Sequence, residues 1–268
     1  MKKLLLAAAV AVSIPSAQAI GFFDFEVGVG GAFNTLNDGS IGDDVSLTTN
    51  ADTSVDLDLE AKAGYYLQGR IGMPVLPDLK VRYETLRMES GEANGNFDFF
   101  GTTFNVDGEA ILDMTHLDTA LVFGPKFIPF VDYLDVGVNL RWLLGGFEAE
   151  VDTPDGKERV DQPFEFEGIP AVIPMIHLAA ATTIPVADVQ LSGALNTFPV
   201  AGLNMTDWNL KARYYAPLPT NILAKVGVEA GYRKWTIDIN GAESEVVPED
   251  AKLEFDASGF FLGAVVTF

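Results

Sequence analysis

The chain has 268 residues, no cysteine, 38 acidic against 17 basic side chains and a formal net charge of −21. Without cysteine there is no disulfide framework, thiolate nucleophile or sulfur-ligated metal, and a field this negative repels nucleic acid, so none is expected as a partner. Mean hydropathy is nonetheless positive, at +0.20, which suits a lipid-facing exterior.

The chain opens on Met1-Lys2-Lys3, continues with an apolar run over residues 4–12 and reaches Ser16-Ala17-Gln18-Ala19. A basic start, a short apolar stretch and an A-x-A site predict a secretory signal peptide over residues 1–19, cleaved after Ala19. The run is too short to cross about 30 Å of hydrocarbon as an anchor. Residues 20–268 read as one domain.

From there apolar and polar residues alternate with period two, the signature of a strand with one apolar and one polar face. Phe23, Phe25, Val27 and Val29 alternate with Asp24, Glu26, Gly28 and Gly30. Residues 55–73 keep the alternation throughout, and shorter runs recur at 79–84, 134–144, 207–214 and 224–233. Short links at 74–78, 124–132, 185–188 and 216–221 alternate with longer polar ones at 35–54, 90–105, 152–168, 197–204 and 240–251. Short turns at one rim and long loops at the other predict a closed antiparallel transmembrane β-barrel of about ten strands, eight being the alternative. The short turns would be periplasmic and the long acidic loops extracellular.

Two segments fit less simply. Residues 169–186 are apolar on both parities, but Pro170, Pro174 and Pro185 with Thr182 and Thr183 favour a strand over a helix. Pro174 then requires an edge or a bulge, and a closed barrel has no edge. Residues 96–113, with Phe97, Phe99, Phe100 and Phe104, read either as a hairpin extending above the membrane or as a loop folded inward.

The last run places Phe260, Leu262, Ala264, Val266 and Phe268 on one parity. It resembles the C-terminal signature of outer-membrane barrels, in which a terminal phenylalanine is read by the barrel assembly machinery. The stretches at 112–118, 169–177, 230–233 and 260–268 also resemble a family of uncharacterised Gram-negative outer-membrane β-barrel proteins. That resemblance implies the fold and an outer-membrane location among lipid and lipopolysaccharide, and it brings no activity.

By parity, Lys62, Arg70, Lys80, Arg82, Arg141, Lys211, Arg213, Lys225 and Arg233 point into the lumen with Asp24, Glu26, Asp56, Asp58, Glu60, Glu84, Asp135, Asp207 and Glu229. The candidate lumen lining is Lys62, Arg70, Arg82, Glu84, Arg141, Lys211, Arg213, Glu229 and Arg233. About ten strands lie near the size that side chains fill, so an interior plugged by ion pairs is expected. The expected role is structural or surface-interacting; the alternative is passive, porin-like transport of small solutes, apolar ones included. Acidic loop residues such as Asp43, Asp44, Glu245 and Glu249 are oxygen ligands suited to divalent cations, or a solvated rim. His116 and Asp118 share a strand face, a geometry in which a general-base pair is conceivable. The chain is nevertheless not read as an enzyme, and no catalytic, cofactor-binding or metal residue is assigned.

Overall fold

In the computed structural model the described residues are 24–42, 45–48, 55–73, 76–91, 93–99, 102–124, 131–153, 156–166, 168–185, 187–200, 202–217, 224–241 and 252–268. The expected signal peptide lies outside them. Ten strands form the barrel: β1 (Asp24–Ile41), β2 (Gly64–Gly72), β3 (Asp78–Glu84), β4 (His116–Phe123), β5 (Tyr133–Leu143), β6 (Val172–Ile184), β7 (Val189–Val200), β8 (Leu203–Tyr215), β9 (Lys225–Asn240) and β10 (Lys252–Thr267). Each pairs antiparallel with its neighbour in sequence, and β10 returns to β1 from Glu26↔Thr267 to Ile41↔Leu253, so the sheet closes. Among the described residues no helix is long and apolar enough to cross a membrane.

The alternation sorts side chains as a barrel wall requires. On β9, Val226, Val228, Ala230 and Tyr232 face outward while Glu229, Arg233, Trp235 and Ile237 are buried inside. Similar outward rows run through Leu134, Val136, Val138 and Leu140 on β5 and through Phe260 and Leu262 on β10, Phe260 being 68% exposed. An aromatic girdle crowns the belt: Tyr232 lies 5.7 Å from Trp208 and 5.2 Å from Phe260, and Tyr65 lies 5.9 Å from Tyr83. Above it the outer face turns polar, with Lys234 2.7 Å from Asp256. Within the belt the Trp142 indole N–H donates to Thr119 Oγ1 at 3.1 Å, so this polar atom is satisfied by the wall itself.

Three of the long connections carry strands of their own, while residues 242–251 of another lie outside the described residues. The strands Glu60–Ala61, Arg87–Glu89, Ala93–Phe99, Thr102–Asp113, Gly146–Thr153 and Gly156–Pro163 form a second sheet of six over one end of the barrel. Of the two readings of residues 96–113, the hairpin holds. Phe97, Phe104 and Phe147 cluster with centroids 4.9 to 5.7 Å apart, and Phe104 is fully buried. They join an apolar core that also takes in Leu36, Met175, Met205, Trp235, Ile237 and Phe255 from the ends of barrel strands.

Three expectations need correction. Residues 55–73 are not one strand: Asp58 takes φ +46°, and only Gly64–Gly72 belongs to the barrel. Leu57 and Leu59 are buried in the apolar core while Tyr65 and Leu67, of the same parity, face outward. Parity survives the break while the chemistry of each face changes, so Asp58 and Glu60 are exposed outside the lumen. The expected loop over 197–204 is a tight hairpin instead, with Val200 paired to Leu203 and Gly202 in the left-handed region at φ +73°.

Pro174 finds its edge at an interruption of the wall. The β6–β7 ladder ends at Ile176↔Thr197, beyond which residues 172–175 pair only with β5 and residues 198–200 only with β8. Continuing that register by two residues would oppose Pro174 to Pro199. Two residues without an amide donor thus sit where the seam stops, and each strand has a local edge inside a closed barrel. Amide hydrogen exchange in detergent should therefore be much faster at Val172, Ile173, Met175, Phe198 and Val200 than at residues 226–232 of β9. Equal protection would contradict the interrupted seam.

Candidate functional site: a charged lumen with one open end

The polar interior is built from inward-facing residues of the barrel strands, up to the level where the apolar core takes over. Nearest that core, Arg141 on β5 holds Asp118 on β4 through two hydrogen bonds of 2.8 and 2.7 Å and also bonds Asp207 on β8. Arg233 on β9 meets Asp207 at 2.7 and 2.5 Å and reaches across the barrel to Glu84 on β3. Asp207 therefore bridges two guanidinium groups. The rigid two-pronged geometry of arginine is what permits this. Trp235 covers the layer, with Arg141 4.8 Å from its ring centroid.

His116, fully buried, closes the same layer. Its Nδ1 donates to the Met114 carbonyl oxygen at 2.9 Å, which leaves Nε2 to accept from Arg233 at 3.2 Å. Both ring nitrogens are engaged and neither bonds Asp118, whose oxygens hold Arg141. The His116–Asp118 pairing conceived from the sequence is thus a packing neighbourhood.

In the middle layer Glu229 on β9 accepts from Tyr66 Oη at 2.7 Å, Gln68 at 2.8 Å and Arg213 at 2.8 Å, while Lys211 stands 3.4 Å away. Arg213 also grips Glu26 on β1 with two bonds of 2.8 Å. Tyr66 fits only because its neighbours are glycine. A Cβ on Gly30 would lie 2.5 Å from its ring, and one on Gly263 would lie 2.2 Å from its hydroxyl. Arg82 stacks over that ring at 4.2 Å and bonds Glu84 at 2.8 Å, linking the two layers.

The third layer lies toward the short turns. Arg70 bonds Asp78 at 2.6 Å and Asp135 at 3.3 Å, Lys80 bonds Asp135 at 2.6 Å, and both cations pack on the Tyr133 ring. The full network holds seven carboxylates, Glu26, Asp78, Glu84, Asp118, Asp135, Asp207 and Glu229. Against them stand seven cations, Arg70, Lys80, Arg82, Arg141, Lys211, Arg213 and Arg233. Among the described residues this network is charge-balanced although the chain is strongly acidic.

Eight of the nine candidate lining residues are brought together here. Lys62 is not: it lies before β2, half exposed and 3.9 Å from both Glu60 and Glu89. It falls outside the lumen because the strand assumed to carry it is broken at Asp58. Asp78, with Asp118 a full member of the network, was not placed by parity because it begins a strand. Among the described residues no group of three or more His, Asp or Glu is arranged to hold a metal ion.

Beyond the third layer the lumen opens. A cavity of about 920 Å³ is lined by residues of all four short connections, including Leu76, Gly124, Asp188 and Pro217, so its mouth is at the short-turn rim. A smaller space of about 130 Å³ lies deeper, between Lys80, Asn139, His177, Asn196, Lys211 and Arg213. At the opposite end the charged layer and the apolar core leave Arg141 and Met88 fully buried.

The fold and interior together define a closed, ten-stranded antiparallel β-barrel with an apolar outer belt and an ion-paired lumen. No protein-family model and no curated protein matches the chain. Among solved structures, a Pseudomonas aeruginosa FadL homologue is similar over 97% of this chain and 93% of its own, at 11% identity and a TM-score of 0.33. OmpT, an outer membrane protein of Vibrio cholerae folded in vitro and in trimer form, is similar over 91% of this chain and 99% of its own, at 8% identity and a TM-score of 0.27.

Removing one member of a buried, hydrogen-bonded ion cluster strands its partners without water, a loss of about 3–5 kcal/mol. Asp207→Asn should lower stability by that order in urea unfolding from lipid vesicles, because Arg141 and Arg233 both lose their shared carboxylate. Lys234→Ala, at an exposed pair, should leave the midpoint unchanged. Equal effects from the two would contradict the network's role.

Proposed function

We propose that this chain is an integral outer-membrane barrel with a sealed lumen, serving as a structural or surface-interacting element. The carrying observation is the sequence of seals inside it: a fully buried layer around Arg141, Asp207 and His116, then an apolar core spanning barrel and cap. Neither admits a continuous file of water, since every displaced pair would leave a stranded charge. The apolar belt and its girdle support residence in lipid, because a closed barrel pairs its backbone groups within its own wall, here everywhere along the strand ladders except at the short β6–β7 interruption. In this reading the chain is exported by residues 1–19 and assembled through the strand ending at Phe268. Its short turns face the periplasm. Lipopolysaccharide meets the acidic connections, with divalent cations bridging carboxylates such as Asp43, Asp44, Glu245 and Glu249, which lie outside the described residues. The role is non-enzymatic.

Passive passage of small apolar solutes is the second reading, and one observation favours it. The interrupted β6–β7 seam lies beside Met175 and Phe198, where the apolar core approaches the lipid-facing wall. The two readings separate in reconstituted vesicles and planar bilayers. The sealed barrel predicts no conductance steps and no uptake of small apolar solutes, with slower or faster gel migration than the boiled sample as proof of folding. Discrete steps from folded protein would overturn the sealed lumen, and uptake without conductance would favour the seam.

A further inference from the structure

We infer that the blind cavity at the short-turn end is a binding site for a small zwitterion of the amino-acid class. Three observations converge on it. The first is Asn139 on β5, which lines the inner space at 1% exposure with neither its amide nitrogen nor its amide oxygen hydrogen-bonded to any protein group. A buried, unpartnered amide is destabilising, and an apolar side chain of similar size would not be. Its presence fits a position kept for a ligand.

The second observation is the polarity of the inner wall. Five cations, Arg70, Lys80, Arg82, Lys211 and Arg213, line the space against two carboxylates, Glu26, which holds Arg213, and Asp118, while Asp135 and Glu229, the partners of Lys80 and Lys211, are not among its lining. Lys211 is held by one carboxylate oxygen at the long distance of 3.4 Å, so its ammonium retains donors for a second anion. A carboxylate entering here meets donors first.

The third is the mouth, where the charge reverses. Asp24, Glu26, Asp78, Asp132, Asp135 and Asp188 line the outer cavity against Arg70 and Lys225. An acidic mouth discourages a simple anion, and a donor-rich floor offers nothing to a simple cation. A molecule with a carboxylate leading and an ammonium trailing satisfies both. The two cavities share Glu26, Arg70 and Tyr133, so they adjoin across the third layer, which a solute passes between mouth and floor. The inference goes beyond the sealed-barrel reading and survives its failure, because binding is read without reference to conductance.

The test is calorimetric titration of the folded full barrel in detergent with ω-amino acids from glycine to 6-aminohexanoate, with butyrate and butylamine as single-charge controls. At least one zwitterion should bind at one per barrel, and both controls should bind about tenfold more weakly or not at all. Asn139→Leu and Lys211→Met should each weaken that binding about tenfold. Both variants should stay folded by heat-shifted migration: Asn139 has no partner to lose, and Glu229 keeps Arg213, Tyr66 and Gln68 without Lys211. No binding by any member, equal binding of butyrate or butylamine, or unchanged affinity in folded variants would each overturn the inference.

Discussion

A charge turned inward by a wall that is apolar on its outside cannot turn to the water around the barrel, so its counter-charge must come from within the lumen. Here that constraint is met to parity: seven cations answer seven carboxylates, and several bonds, such as Arg213 to Glu26 and Arg233 to Glu84, reach across the lumen. Such pairs do more than offset their own desolvation. They tie distant strands of the barrel to one another, in addition to the neighbour-to-neighbour ladder. The net charge of −21 is therefore carried outside the network, at the mouth, the cap and the connections.

The lumen changes chemistry along its length without a change of parity. On β9 the inward side runs Glu229, Arg233, Trp235, Ile237, passing from ion pairs to apolar core within a few residues. Trp235 is the hinge of that change, placing one face against Arg141 and its edge against Phe255, 5.3 Å away. The cap sheet is then required by the core: Leu57, Met88, Phe104 and Phe147 cover an apolar barrel end that would otherwise be open to solvent. Among the described residues, packed charge and apolar core fill one end of the barrel and the cavity of about 920 Å³ lies at the other.

Much of this was legible in the sequence because period two is a local signal. Strand positions, outward rows and the inward direction of Arg70, Arg82, Glu84, Arg141, Lys211, Arg213, Glu229 and Arg233 all follow from alternation. What alternation lacks is any knowledge of what lies opposite. It assigned Leu57 and Tyr65, which share a parity, one common fate, although Leu57 faces a protein core and Tyr65 faces the outside. Lys62 was misplaced by the same assumption. The tight hairpin at Gly202 and the paired prolines at the β6–β7 seam depend on register between strands, which only the fold reveals. The orphaned Asn139 is likewise visible only once its neighbours are in place.

The proposed sealed lumen requires that the interior be reached from the short-turn side alone. The cysteine-free chain allows a direct measurement of this: Ser192→Cys puts a single thiol on the wall of the inner space. In vesicles of known barrel orientation, a small zwitterionic thiosulfonate reagent should modify that thiol when added on the short-turn side and leave it untouched from the cap side. Modification from the cap side at a comparable rate would show a continuous channel and contradict the sealed lumen.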